Sequence, residues 1–261
     1  MEGKDNNSYN NRRNMTDRSE NSIQYIRQQD ASYPEKLRVH RGMPGGLYVL
    51  GRLPDPGRMS VAIVGARRSS RYGDETARFF AGELAKEGIQ IISGMAWGID
   101  GMAHEGALEA GGDTFAVLGS GVDVCYPAGH RKLYDRLIRT GGILSEQPPG
   151  MPPKPGHFPA RNRIISGLSL GVLVVEAAAR SGSLITARLA LEQNREVYAI
   201  PGAVFASSSF GCQELIRQGA HPIFSAEDIL RDLAPQLEAF GISPSDMPRE
   251  TALPGEVAEF P

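Results

Sequence analysis

Leu170-Gly-Val-Leu-Val-Val175, continued by Glu176, the small-residue loop Ala177-Ala-Ala-Arg-Ser-Gly-Ser183 and an amphipathic run to residue 194, decides the fold. A short apolar run without polar alternation, closed by turn residues, reads as a strand buried on both faces. Strands of that kind belong to parallel sheets covered by helices. The pattern of strand, glycine loop and helix repeats upstream. Val61-Ala-Ile-Val64 precedes a helix near 73–87, whose Ala77, Phe80, Ala81 and Leu84 share one face. Ile89-Gln-Ile-Ile92 leads to a helix opening near Asp100, a good N-cap residue, and 114–118 leads to a helix over about 130–139. Residues 142–145, 196–200 and 221–224 complete the strands, and a helix near 183–194 follows the strongest one. The expected architecture is α/β: a doubly wound, mostly parallel Rossmann-like sheet over residues 57–232 with helices on both faces.

Around that domain, residues 1–22 carry almost nothing to bury and read as disordered. Residues 23–56 read as a lead-in with one strand at 47–50. Residues 233–261, rich in Pro, Glu and small residues, read as a loosely structured tail.

The chain has 261 residues, 41% of them hydrophobic, enough for a full core. Its net charge of −2 supplies no global field toward a polyanion, so nucleic-acid binding would need a local basic cleft. Cys125 and Cys212 lie far apart, without pairing or metal spacing, as in a reducing compartment. No charged-then-apolar leader and no bilayer-length apolar run is present. These features predict a soluble, cytoplasmic protein without a membrane partner.

In a doubly wound sheet the ligand crevice lies at the carboxyl ends of the strands. Four small-residue loops leave strands on that rim, at 65–73, 93–100, 119–121 and 177–183. Glycines let backbone N–H groups approach an anion, and the following helix adds its dipole. Gly65, Ser93, Gly94, Ser181 and Gly182 are therefore the candidate phosphate-pocket residues. No loop carries Gly-Lys-Ser/Thr at the Walker A offset, and Gly119-Ser-Gly121 lacks the third glycine of a dinucleotide fingerprint. Neither ATP hydrolysis nor a nicotinamide cofactor is expected. Arg67, Arg68 and Arg71 exceed what one pyrophosphate needs and suit an extended polyanion.

Phe158-Pro-Ala-Arg-Asn-Arg-Ile-Ile-Ser-Gly-Leu-Ser169 carries the functional signal. An aromatic face can stack on an unpaired base, and the guanidiniums of Arg161 and Arg163 can hold phosphate beside Asn162. With Lys154 and His157 the two arginines form a second basic cluster on the same rim. The alternative at this level is that Phe158 plugs a core and the arginines are a solvated helix start. Asp100, Asp123, Glu146 and Glu176 fall near strand ends, where paired carboxylates could act. His104 has no partner at metal-ligand spacing, and no nucleophile, base and orienting group stand together. No catalytic or metal site is expected.

Taken together, Val61-Ala-Ile-Val-Gly-Ala-Arg67, Ser93-Gly-Met-Ala-Trp-Gly-Ile-Asp-Gly-Met-Ala-His104, Ala116-Val-Leu-Gly-Ser-Gly-Val-Asp123 with Tyr126-Pro127, the Phe158 motif, residues 175–187 and Arg195-Glu-Val-Tyr-Ala-Ile-Pro-Gly202 resemble the DNA-processing protein A (DprA, or Smf) family. They stand in family order across residues 23–230. The resemblance implies an extended Rossmann fold that binds single-stranded DNA, forms homodimers and loads the recombinase RecA during natural transformation. By motif it makes Arg67 the phosphate grip, Phe158 the base-stacking ring, Asn162 and Arg163 the pocket beside it, and Lys154 an upstream basic contact. Ala66 stands where the family often has Ser or Thr. No winged helix is expected after 233, and a helical N-terminal domain is expected to be absent. Two other readings compete: a Rossmann-like phosphoribohydrolase using Glu176, and a scaffold for RecA with a vestigial pocket.

Overall fold

The computed structural model describes residues 22–237. In chain order the elements are β1 (Gln24–Arg27), α1 (Glu35–Arg38), β2 (Gly46–Gly51), β3 (Ser60–Val64), α2 (Arg71–Lys86), β4 (Gln90–Ser93), α3 (Ile99–Glu109), β5 (Thr114–Leu118), α4 (Arg131–Thr140) and β6 (Gly142–Ser145). There follow α5 (His157–Leu168), β7 (Gly171–Val174), α6 (Ser183–Glu192), β8 (Glu196–Ala199), α7 (Phe210–Arg217), β9 (His221–Pro222) and α8 (Ala226–Leu237).

The strands form one sheet in the order β1-β2-β6-β5-β4-β3-β7-β8-β9. From β6 to β9 every pairing is parallel, as the uninterrupted apolar runs required. Alternation within β3 shows how both faces are used. Val61 and Ile63 pack with Ala77, Phe80 and Leu84 of α2, Ala103 of α3 and Ile229 of α8. Ala62 and Val64 pack on the opposite side with Ile164 and Leu168 of α5, Ala187 of α6 and Leu215 of α7. Leu133, Tyr134 and Leu137 of α4 cover the β5–β6 end. Each such fully buried aliphatic side chain contributes about 1.5–3 kcal/mol.

Strand β3 pairs with β4 on one side and β7 on the other. The chain winds outward from β3 through β4 and β5 to β6. Helix α5 then carries it back to β7, from which it winds the other way. The carboxyl ends of β3 and β7 thus part at a topological switch point, where open α/β sheets form their ligand crevice.

Two boundaries differ from expectation. The lead-in belongs to the sheet, because β2 pairs antiparallel with β6 and β1 pairs antiparallel with β2. The last helix runs to Leu237, past the expected limit at 232, because Ile229, Leu230 and Leu233 bury against the α2 layer. Of the expected disordered segment all but Ser22 lies outside the described residues, as does the expected tail beyond 237. Among the described residues no helix is long and apolar enough to cross a membrane.

Candidate nucleic-acid interface

The loops after β3 and β7, with the starts of α5 and α6, enclose a cavity of about 770 Å³ at the switch point. Among the described residues its charged lining is four arginines, Arg67, Arg68, Arg161 and Arg180, against one carboxylate, Asp100. A chain of net charge −2 therefore concentrates positive charge where its helix N-termini also converge.

Helix α5 opens at His157, so the aromatic and basic motif lies inside the helix. Pro159 is accommodated because first-turn N–H groups have no intrahelical acceptor. This start aims the half-buried ring of Phe158 into the cavity. The ring lies 5.7 Å from that of Tyr126, tilted by 36°. The Arg67 guanidinium sits 5.0 Å from its centroid. His157 donates from Nδ1 to the Gly119 carbonyl at 3.0 Å, pinning the first turn to the loop after β5. The arrangement brings together an aromatic ring and a cation lying over it, the two kinds of group that a stacked base and its phosphate require.

The other predicted contacts divide. Asn162 lines the cavity, and its Oδ1 accepts from Arg161 Nε at 3.1 Å. Arg161 is only 6% exposed, and its guanidinium donates to the carbonyls of Gly94 (2.8 Å) and Val117 at the ends of β4 and β5. Burial pushes it down to about 10, leaving it charged at neutral pH. It backs the cavity as an internal tie, where the sequence led us to expect a DNA-facing cation. Arg163 points away from the cavity and donates to the Gly42 carbonyl (2.8 Å) and to Glu146 (2.7 Å), so it fastens α5 to the lead-in. Lys154 is exposed in the loop leading into α5 and does not line the cavity.

The phosphate-pocket set divides in the same way. Gly65 lines the cavity and packs its bare Cα on Ile99 and the Glu176 carbonyl. Ser181 and Gly182 also line it, at the start of α6, where helix N–H groups lack intrahelical acceptors. Ser93 is fully buried and donates to the Ile63 carbonyl at 2.6 Å, so its hydroxyl is engaged in the core. A Cβ at Gly94 would overlap the Arg161 guanidinium, and the Gly94 N–H donates to the Asp100 carboxylate. Its absent side chain serves the arginine rather than a phosphate.

Asp100 does not cap α3. Gly98, at φ 73°, precedes the helix, and Asp100 turns inward to accept from the N–H groups of Ala96 and Gly94. Burial pushes its carboxyl up, opposed by the charges of Arg161 and Arg67. The other carboxylates hold structure. Glu176 is buried and accepts from Ser70 N–H at 2.8 Å under the start of α2, outside the cavity lining. Asp123 accepts from Gly150 N–H (2.8 Å), and Glu146 pairs with Arg163. His104 is fully buried in α3. Thr114 donates its hydroxyl proton to the Ile91 carbonyl, so His104 must donate from Nδ1 to Thr114 Oγ1 at 2.6 Å. Its Nε2, a bare acceptor, has no partner among the described residues.

Three residues in or beside the cavity escaped the residue-level reading. Arg180 lay in a recognised loop, and its charge was the available signal. Tyr126 and Trp97 are exposed aromatics on loops after β5 and β4. Aromatic type alone does not distinguish a surface ring from a core ring.

The family described as DNA recombination-mediator protein A matches this chain over residues 24–234. Protein Smf of Escherichia coli K12 is 49% identical over 202 residues, which are 77% of this chain and 54% of that protein. This chain thus spans about half the length of that relative. Among solved structures, DNA processing protein A of Streptococcus pneumoniae superposes with a TM-score of 0.78 at 40% identity, covering 84% of this chain and 77% of that one. DNA processing protein A of Helicobacter pylori, whose structure was described for its single-stranded DNA binding mode, gives 0.72 at 31% identity, covering 83% and 98%.

Proposed function

The chain belongs to the DNA recombination-mediator protein A family, and we propose that it binds single-stranded DNA in the switch-point cavity without cleaving it. The carrying observation is the Phe158 ring facing that cavity with Arg67 beside it, among arginines that outnumber the lone carboxylate. One unpaired base stacks on Phe158 beside Asn162. The adjoining phosphates lie against Arg67, Arg68, Arg180 and the backbone N–H groups of Ser181 and Gly182. Lys154 meets the strand at the cavity's outer edge. Binding is indifferent to sequence, since stacking and phosphate contacts do not read base edges.

A hydrolase working through Glu176 has little support, because that carboxylate is buried beneath α2. On the family resemblance, the protein acts in the cytoplasm as a homodimer that protects incoming strands in transformation and passes them to RecA. Fluorescence anisotropy with a single-stranded oligonucleotide, its duplex and a nucleoside monophosphate competitor tests the binding step. Preference for the single strand, weak competition and an intact monophosphate are expected. Equal affinity for the duplex would overturn the reading. Light scattering and strand-exchange assays with RecA test the assembly and the hand-over.

A further inference from the structure

Trp97, in the loop between β4 and α3, is 52% exposed, which is unusual for the largest apolar side chain. Its presentation is closely constrained. The indole lies over Gly129, where any Cβ would overlap it, and stands edge-on to His130 with centroids 4.3 Å apart. His130 in turn donates from Nδ1 to the Met95 carbonyl at 3.1 Å, tying the ring's support back to the same loop. Met95, fully buried, adopts φ 55°, a left-handed conformation that disfavours a side chain of its size. Gly98, on the other side of Trp97, has φ 73° and no room for a Cβ against the Ala66 carbonyl. A left-handed turn on both sides of an exposed indole, strained at Met95 and open only to glycine at 98, is a feature the surrounding fold must enforce.

The indole also has a direction. A recess of about 40 Å³ beside the main cavity is lined by Trp97, Tyr126, Pro127, Phe158 and Arg67 among others. Phe158 and Arg67 line both spaces. Tyr126, 43% exposed, stands between the two compartments in contact with Phe158. We infer that Trp97 is a second stacking platform, which takes a further base of the same strand after it leaves Phe158 and passes Tyr126. This inference rests on the single-strand reading of the cavity. It adds a second base site and a path, from the arginines at the β3–β7 ends toward the β4–β5 loops.

Trp97 is the single tryptophan of the chain, so its emission reports this site without modification. Oligothymidylates of increasing length are titrated while Trp97 emission and the anisotropy of a labelled oligonucleotide are followed in parallel. Expected is quenching that saturates with the anisotropy and deepens with length until the strand reaches the indole. Anisotropy that saturates while Trp97 emission and its accessibility to iodide stay constant would overturn the inference and leave the single-strand reading intact. No anisotropy change at all would remove both. Trp97→Ala should weaken binding of long oligonucleotides roughly 5- to 150-fold, the range expected for one lost base stack. The penalty should grow with strand length, and the salt dependence should not change. Trp97→Phe should restore most of the affinity, and a melting curve of each variant confirms folding.

Discussion

Arg161→Met separates an internal arginine from a DNA-facing one. Arg161 ties three acceptors together: the Gly94 carbonyl, the Val117 carbonyl and Asn162 Oδ1. It also neutralises the buried Asp100. Methionine keeps most of the stem volume, so cavity formation adds little, and the loss is that of the charge and its donors. Each buried carbonyl left unpaired costs about 1–3 kcal/mol. Withdrawing the cation whose field supports the buried Asp100 carboxylate, with which it makes no direct ion pair, adds to that cost. These penalties overlap, and the cavity lets some water reach the orphaned groups, so the expected loss is about 3–5 kcal/mol. At about 2–4 °C per kcal/mol for a domain of this size, the melting temperature falls by roughly 6–20 °C.

The pH dependence gives a second signature. Burial already raises the Asp100 carboxyl, and without Arg161 it rises further. A carboxyl raised in the folded state binds protons more readily there than in the unfolded chain. The deficit is therefore full above the folded value and shrinks as pH falls toward the unfolded one. The assay is urea unfolding across that range, with oligonucleotide affinity measured in a salt series on folded protein. An unchanged unfolding free energy, together with a salt slope lowered by about 0.7, would refute the assignment and return Arg161 to the DNA-facing set.

The exposed Arg67 should behave in the opposite way. Arg67→Ala should lower the slope of log affinity against log salt by about 0.7 with an unchanged melting curve. Phe158→Ala should weaken single-strand binding by about 1–3 kcal/mol with an unchanged salt slope. Its stability loss should stay below the roughly 3–5 kcal/mol of a full core phenylalanine, because the ring is only half-buried; a large stability loss with normal affinity would assign the ring to the core. Burial pushes the His104 imidazole down to about 3, so its stabilising effect is present above pH 6.5 and is lost as pH falls toward 3. From pH 7 to pH 5 the protein should lose about 2 kcal/mol more than His104→Gln, as urea unfolding at the two pH values would measure.

The central strands were legible because a strand buried on both faces is apolar almost throughout, and β3, β5 and β7 are, apart from Ser60 and Thr114 at the first positions of β3 and β5. β1 was not, since only Ile26 of Gln24–Arg27 is buried and an edge strand imposes no further pattern. Within the site, Arg67 and Arg161 are chemically identical in the sequence, and helix phase separates them. Once α5 is known to begin at His157, Arg161 falls on the face of Ile164, Ile165 and Leu168, which is buried. Two of the partners of Arg163, Gly42 and Glu146, lie 121 and 17 residues away, at separations that no local pattern encodes.

How a chain of net charge −2 can present a basic cavity follows from where its acids are placed. Asp113 pairs with Arg52 and Arg58, Glu109 with Arg78, and Glu105 with Arg136, all through elements away from the switch point. Glu146 holds Arg163 behind α5, and Glu176 is turned under α2. Among the described residues no ion pair joins Arg67, Arg68 or Arg180 to a carboxylate. Asp100, the one acid in the lining, accepts from two backbone N–H groups and faces Arg161, so little of its charge opposes a phosphate. The field is short-ranged by construction, since beyond about one Debye length, ~8 Å at physiological salt, the balanced surface cancels it. On the proposed reading, such a site would capture strands that enter the cavity and give little attraction to duplex at a distance. Adding salt should therefore weaken tight binding through the few phosphates held inside, while leaving the slower-growing contribution of the aromatic rings in place.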